Sequence, residues 1–421
     1  MSYRSLDEWL AWQTTLHARE IELGLDRITT VADRLNLIDC PFKVITVAGT
    51  NGKGSTVAML STILHHAGYK VGTYTSPHII HYNERIRIGL RCVKDDQLCS
   101  SFEKINEARS EISLSFFEFA TLTALNIFHE EKVDVAILEV GLGGRLDATN
   151  IIDCDLAFVT SIGLDHTEWL GDTRQLIGYE KSGIFRSNTP AICGDPSPPD
   201  SVAETAQSLG ADLYQLNQDF RYEVARSSWS FSYEDYKLHG LPLPNLSGAV
   251  QIQNAACVLM GLHSLDEEIP VTLEAIETGL REVTLEGRFQ RIVKDCEIIL
   301  DVAHNFDSAK VLADNLMALP KPRNTIGVFA VLNDKDIMGI ISLLKNHVDQ
   351  WFISEVNSHR RMEVAQIEQA LKENCSDSIN VSKFDSIEDA YVHAQAIAHE
   401  GDRIIVFGSI FTVSEVLASE S

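Results

Sequence analysis

The sequence has no uninterrupted apolar stretch of membrane-spanning length, and its first twenty residues alternate polar and apolar side chains without an apolar signal core. The expectation is a cytoplasmic protein with no membrane partner. Cysteine is present but unorganised: residues 40, 92, 99, 154, 193, 257, 296 and 375 form no C-x-x-C pair and no Cys/His cluster. A zinc site or disulfide framework is poorly supported, and reduced, buried thiols are expected. Basic residues are also scarce, with 35 Lys and Arg against 60 Asp and Glu, for a formal charge of −25. A polyanionic surface repels a nucleic-acid backbone, so no nucleic-acid partner is expected. An anionic ligand would have to be met by a few local cations or metal ions.

What is present is the composition of a globular enzyme, 45% hydrophobic and 23% charged, over 421 residues, too many for one core. Buried strands are expected at Phe42–Gly49, Lys70–Ser76, Val133–Val140 and Asp155–Ile162, with helices at Ser55–Ala67 and Phe116–Glu131 between them. This is the rhythm of a parallel sheet covered by helices. Alternation around Trp229, Phe231 and Tyr233 suggests antiparallel strands within Arg221–Leu243. Helical patterns follow at Gln251–Leu265 and Leu273–Val283. A second series begins near Glu297, with strands at Ile298–Val302, Thr325–Val331, Gln350–Val356 and Arg403–Gly408. The predicted fold class is α/β: a P-loop parallel-sheet ATPase domain over 1–290, then a smaller Rossmann-like α/β domain over 297–421, with the break near Leu285–Cys296. There is no internal repeat.

The run Val47-Ala48-Gly49-Thr50-Asn51-Gly52-Lys53-Gly54-Ser55-Thr56 joins a strand to a helix. Glycines let backbone N–H groups converge on phosphate oxygens, the helix N-terminus adds positive potential, and the Lys reaches the outer phosphates. A ligand-free tight turn is the weaker reading, because a Lys between two glycines has little packing use. Thr50, Asn51, Gly52, Lys53, Gly54 and Ser55 are therefore candidate ATP contacts. Two positions depart from G-x-x-x-x-G-K-[ST]: Val47 stands for the first Gly, and Gly54 for the hydroxyl residue that holds Mg²⁺. The missing ligand must come from elsewhere.

Glu139 lies among Val135, Ala136, Ile137, Leu138 and Val140, where a carboxylate is costly unless paired or metal-bound, so an oxygen ligand for Mg²⁺ is expected there. The turn Gly141-Leu142-Gly143-Gly144 invites a dinucleotide reading, but Leu146 replaces the last Gly of G-x-G-x-x-G. Arg145 and Asp147 instead suit a substrate-facing loop. Ser76 ends a strand on the edge where α/β sheets bind ligands, although a plain turn serine is the commoner use. His166 and Lys181, read alone, would be a structural histidine and an exposed lysine.

These pieces occur in an order that resembles the Mur ligase superfamily, in its folate branch: Gly49–Ser55, Ser76-Pro77-His78, Leu114–Glu118, Leu138–Asn150, Leu164-Asp165-His166-Thr167, Glu180–Phe185, Gly287-Arg288-Phe289 and Asp301-Val302-Ala303-His304-Asn305. The resemblance runs from Gly24-Leu25-Asp26-Arg27 to Gly408-Ser409. It implies an ATP-dependent ligase joining L-glutamate to dihydropteroate and to reduced folates such as tetrahydrofolate. Two Mg²⁺ ions are implied, with Mn²⁺ a competent substitute: Ser76 and Glu139 are metal ligands, and His166 with a CO₂-carbamylated Lys181 serves the second ion. Asn254, Arg288 and Asp301 are placed at ATP, and His304 and Asn305 join them from a neighbouring loop. Arg288, in the suspected hinge, would meet phosphate only on domain closure. Lys53, His166 and Lys181 are expected to carry catalysis.

The pterin is expected near Ser115, Phe116, Phe117 and Glu118, with the two Phe rings available for stacking, although two Phe at a helix start usually belong to the core. Phe306 replaces the family's Pro, so that loop backbone is expected to be less constrained. Phe411 stands where a His is common. A muramyl-peptide ligase is disfavoured, because only 48 residues precede Gly49, too few for a nucleotide-sugar domain. The remaining alternatives are a folylpolyglutamate synthase alone, or a P-loop protein using ATP as a switch. A monomer is expected.

Overall fold

The computed structural model describes residues 4–17, 22–374 and 379–420. It divides into two compact units, Met1–Asn245 with Gln251–Val283, and Leu246–Val250 with Thr284–Ser421. The first is built on eight strands: β1 (Lys43–Ala48), β2 (Val71–Tyr74), β3 (Ile86–Ile88), β4 (Arg91–Cys92), β5 (Val135–Glu139), β6 (Leu156–Val159), β7 (Pro190–Cys193) and β8 (Asp212–Gln215). Their order is β4-β3-β2-β5-β1-β6-β7-β8. The sheet is parallel from β2 to β8, but β3 and β4 add an antiparallel edge that the sequence pattern did not signal.

β1 is central, and its residues Val44, Ile45, Val47 and Ala48 are at most 1% exposed, as are Val135–Leu138 of β5. Helices cover both faces, so these strands are continuous apolar runs rather than alternating ones. Each Val, Ile or Leu among them contributes roughly 1.5–3 kcal/mol by leaving water. Register sets Val47 opposite Glu139, so the phosphate loop and the Glu139 carboxylate leave the same edge of the sheet.

The antiparallel strands expected over 221–243 are present as β9 (Phe220–Val224), β10 (Ser228–Tyr233) and β11 (Tyr236–Pro242), a separate three-stranded sheet. The second unit holds β12 (Gln290–Val293), β13 (Glu297–Leu300), β14 (Thr325–Phe329), β15 (Gln350–Ile353), β16 (Asn380–Lys383) and β17 (Arg403–Phe407), in the order β12-β13-β17-β14-β15-β16. β12 falls inside the stretch 285–296 read as the break, and pairs antiparallel with β13. The helix Ile337–Leu344 was not read from the sequence, although Ile337, Ile340, Ile341 and Leu344 keep helical spacing, because the run is short and largely apolar.

No described helix is long and apolar enough to cross a membrane. The seven described cysteines are free, and Cys375 lies outside the described residues. Cys154, Cys193, Cys257 and Cys296 are buried as expected, but Cys92, on edge strand β4, is exposed.

Candidate active site at the carboxyl edge of the first sheet

The phosphate loop leaves β1 through Gly49, whose φ of 148° favours glycine, and reaches Gly52 at φ 88°. A Cβ on Gly49 would lie 1.9 Å from Thr160 Oγ1. The loop is tied to the segment after β6: Thr50 N–H donates to Ser161 O at 2.7 Å, Asn51 N–H to Ser161 Oγ at 3.0 Å, and Thr160 Oγ1 to Asn51 O at 2.6 Å. The helix Lys53–His66 begins at Gly52 with no side-chain cap. Its first-turn N–H groups and dipole are thus available to an anion. Lys53 Nζ folds over the loop, donating to Gly49 O at 3.1 Å. The Asn254 carboxamide stands over Gly52, with Oδ1 3.0 Å from where a Cβ would sit, and its Nδ2 donates to Gln251 Oε1 at 3.1 Å.

Ser76 and Glu139 are brought together across β2 and β5. Ser76 N–H donates to Glu139 Oε2 at 3.2 Å, and the carboxylate is 6% exposed. The serine hydroxyl residue that Gly54 lacks is therefore supplied beside a buried carboxylate, a hard-oxygen pair suited to Mg²⁺.

Lys181 is not the exposed lysine that its residue type suggests. It is 4% exposed, near the C-terminal end of the helix Arg174–Ser182, and enters no ion pair among the described residues. Burial, reinforced by the neighbouring Lys53, pulls its ammonium down to about 7 against the opposing charges of Asp165 and Asp147. A buried lysine held toward its neutral form is the species that adds CO₂. His166 has a left-handed backbone (φ 51°, ψ 39°), and its N–H donates to Asp165 Oδ1 at 2.9 Å. No three His, Cys, Asp or Glu side chains converge among the described residues. The expected ligand sets pair one such residue with Ser76 or Lys181, so they do not require a cluster of that kind.

The residues proposed for the pterin divide. Ser115 and Glu118 form a capping box for the helix Phe116–Glu131: Ser115 N–H donates to Glu118 Oε2 at 2.7 Å, and Glu118 N–H to Ser115 Oγ at 3.3 Å. Glu118 also receives Arg27 Nη2 at 3.2 Å. The S-x-x-E spacing is a capping-box signal, which the pterin reading of Ser115 and Glu118 passed over. Phe116 and Phe117 are only partly buried, facing Tyr82 at 5.8 Å and Tyr74 at 5.6 Å. Phe117 also touches the loop after Glu139, since a Cβ on Gly141 would lie 2.6 Å from its Cζ. Arg145 is anchored through Nη2 to Glu180 Oε1 at 2.8 Å, over the Tyr179 ring. Asp147 is buried and accepts from the N–H groups of Gly141, Leu142 and Thr149, which fixes the loop.

In the second unit, Asp301 follows β13 and accepts from Phe289 N–H at 2.9 Å and Ala303 N–H at 2.8 Å. Burial pushes its carboxyl up, while the Arg288 guanidinium pulls it down. It thereby holds the turn Gly287-Arg288-Phe289, in which Gly287 and Phe289 have φ of 66° and 46°. His304 Nδ1 lies 2.8 Å from Val302 O. Asn305 caps the helix Phe306–Ala318 by a reciprocal box with Ser308. That box supplies a constraint where Pro is absent, so the loop is fixed more firmly than Phe306 alone suggested. The residues that sequence reasoning missed are Thr160, Ser161 and Gln251, which carry no motif of their own, while Asp165 appeared only within Leu164–Thr167 and was given no role.

A phosphate loop that lacks its metal hydroxyl, with a serine and a glutamate supplied from neighbouring strands, is matched by the family model described as the Mur ligase middle domain, over residues 47–260. The Mur ligase glutamate ligase domain matches residues 287–410. The chain belongs to the Mur ligase family, in its dihydrofolate synthase/folylpolyglutamate synthase branch. It is 44% identical over 413 residues to the dihydrofolate synthase/folylpolyglutamate synthase of Escherichia coli K12, covering 98% of this chain and 94% of that one. A solved structure of Escherichia coli FolC in complex with DHPP and ADP superposes with a TM-score of 0.93 at 43% identity, over 99% of this chain and 98% of that one. A bifunctional folylpolyglutamate synthase/dihydrofolate synthase with Mn, AMPPNP and L-glutamate bound gives a TM-score of 0.91 at 42% identity, over 99% and 98%.

Proposed function

We propose that this chain joins L-glutamate to dihydropteroate, and further glutamate to reduced folates such as tetrahydrofolate, converting ATP to ADP and phosphate. The observation that carries the reading is the gathering of Ser76 and Glu139 beside an uncapped phosphate-loop helix, with Lys181 buried next to Lys53. An acceptor carboxylate oxygen attacks the γ-phosphorus as the bond to ADP breaks, giving an acyl phosphate. The glutamate amine then attacks the acyl carbon, phosphate leaves and the amine loses a proton.

Lys53 and the first-turn amides of its helix hold the γ-phosphate, with Thr50, Asn51, Gly52, Gly54, Ser55 and Asn254 lining the nucleotide. Arg288, Asp301 and His304 are the second unit's nucleotide residues in this reading. Ser76 and Glu139 hold one Mg²⁺, and His166 with carbamylated Lys181 the other, Mn²⁺ being a substitute. Bound Mg²⁺ supplies neutralisation of the repulsion between carboxylate and triphosphate. Phe116 and Phe117 contact the pterin of the shorter acceptor and Arg145 its substrate loop, while Ser115 and Glu118 shape that end through their helix cap. One set of these residues serves both acceptors, because the activation chemistry is the same. The protein acts as a cytoplasmic monomer.

Purified protein with Mg-ATP and L-glutamate should release ADP with dihydropteroate and with tetrahydrofolate, and only when glutamate is present. Release independent of glutamate would mean an ATP switch, and activity on tetrahydrofolate alone would leave a folylpolyglutamate synthase.

A further inference from the structure

We infer that Arg174 and Asp195 are positioning residues for the second metal site, fixing where His166 and Lys181 meet; the inference rests on the two-ion reading proposed above. His166 hangs from the segment that follows β6, and Lys181 from the helix Arg174–Ser182. The Arg174–Asp195 pair ties one to the other at Ile162, four residues before His166.

Asp195, two residues past β7, is 4% exposed. Its Oδ2 accepts from Ile162 N–H at 2.8 Å and from Arg174 Nη2 at 2.9 Å, and its Oδ1 accepts from Ser197 N–H at 2.9 Å. Arg174 Nε donates to Ile162 O at 2.7 Å, and Nη2 also donates to Ser197 O at 2.9 Å. Both main-chain polar groups of Ile162 are therefore taken by this one pair. The next residue is tied to the phosphate loop, since Gly163 N–H donates to Thr50 Oγ1 at 3.0 Å and Thr50 Oγ1 to Gly163 O at 3.2 Å. The ligand loop is thus pinned between the phosphate loop and the helix that carries Lys181. Arg174 opens that helix and Lys181 lies seven residues on, roughly 10 Å along the axis. A shift at one end is carried to the other, and the helix packs tightly at its middle, where a Cβ on Gly178 would lie 2.6 Å from Ser201 Oγ.

Helix stability does not account for the arginine. A cation in the first turn opposes the helix dipole, and no acidic residue offsets it there. The geometry needs a planar fork, one nitrogen on the Ile162 carbonyl and another on the Asp195 carboxylate, which an ammonium cannot span in the same way. Groups that orient metal ligands from behind commonly change metal affinity by 10–100-fold when replaced.

The test is Mn²⁺ titration of the full chain with AMPPNP, following the free-ion EPR signal, for wild type, Asp195→Asn and Arg174→Lys. Wild type should take up two ions. Each variant should bind one ion about tenfold or more weakly, with the other ion and AMPPNP affinity unchanged, and excess Mg²⁺ should restore kcat. Two ions bound with wild-type affinity in the variants would overturn the inference. Parallel loss of both ions, of AMPPNP affinity and of Tm would overturn it too, by making the pair a fold element only. Should Asp195→Asn not fold, Arg174→Lys decides alone, its arginine side chain being 42% exposed. A wild type that takes up a single ion would sink the two-ion reading itself.

Discussion

The two α/β units place polar side chains at the same location, the carboxyl ends of parallel strands, and use them differently. In the second unit these groups close on nearby backbone. Asp301 accepts from Phe289 and Ala303 N–H, Asn305 caps its helix, and Ser409 Oγ accepts from Thr412 N–H at 3.0 Å. In the first unit the helix at the same edge starts without a side-chain cap, and a lysine is buried beside another lysine. Closed hydrogen-bond loops stabilise a fold, whereas uncapped amides and a buried cation are tolerated where a ligand completes them. Substitutions at the first edge should therefore cost activity, and those of the capping groups Asn305 and Ser409 at the second mostly stability.

The largest effect expected is from Lys53→Ala. Loss of a phosphate clamp should lower kcat by about 10²–10³ with Tm changed little. Retention of more than about a tenth of wild-type kcat would move Lys53 from the phosphate to the loop backbone it also touches.

Lys181→Ala should come next, with activity severely lowered and partly restored by added short-chain carboxylic acids occupying the vacated oxygen position. Intact mass of active wild type should show the added CO₂. An unmodified lysine in active enzyme would count against the carbamate.

Phe117→Leu should lower kcat/KM for dihydropteroate several-fold more than for tetrahydrofolate. The γ-carboxylate of tetrahydrofolate lies a glutamate further from its pterin, so one pterin position cannot serve both acceptors. Equal losses on both would argue against separate positions. Glu118 is a poorer probe, because its carboxylate is committed to Ser115 N–H and Arg27.

At the second edge, Asn305→Ala should cost about 1 kcal/mol of stability through the lost cap, read as a lower denaturation midpoint. No loss of stability would break the contrast drawn between the two edges.

The smallest effect is pH-dependent. Burial pushes the Glu297 carboxyl up, but hydrogen bonds from Arg403 at 2.6 Å and Arg291 at 2.8 Å outweigh it and hold the group below the ordinary carboxylate range. A lowered folded value contributes stability above the unfolded value of about 4.3 and loses it as pH falls further. Glu297→Gln should therefore be less stable than wild type near pH 7, the gap narrowing below about pH 4. A gap independent of pH would mean that packing, and not charge, is at work.

Much of the site was legible because its chemistry requires particular residue types at short spacing. Gly49–Ser55 reads as a phosphate loop since Gly49 and Gly52 take backbone angles that favour glycine around a lysine, and Glu139 stands out as a carboxylate inside an apolar strand. The central strands of both units followed from apolar periodicity, which reports which faces leave water, whereas the outer strands β7, β8 and β16 did not. Other features could not be read in one dimension. Lys181 looks like any surface lysine until the helix 174–182 turns it into the interior. Ser76 is an ordinary turn serine until β2 lies beside β5, and that strand order is fixed by crossovers rather than by local sequence. Asp195, Arg174 and Ile162 meet from three segments, and no spacing announces them. Sequence by itself determined the elements and the phosphate loop, whose causes are local. Only the tertiary structure decided which distant polar groups share one buried place, because burial and proximity belong to the whole packed chain.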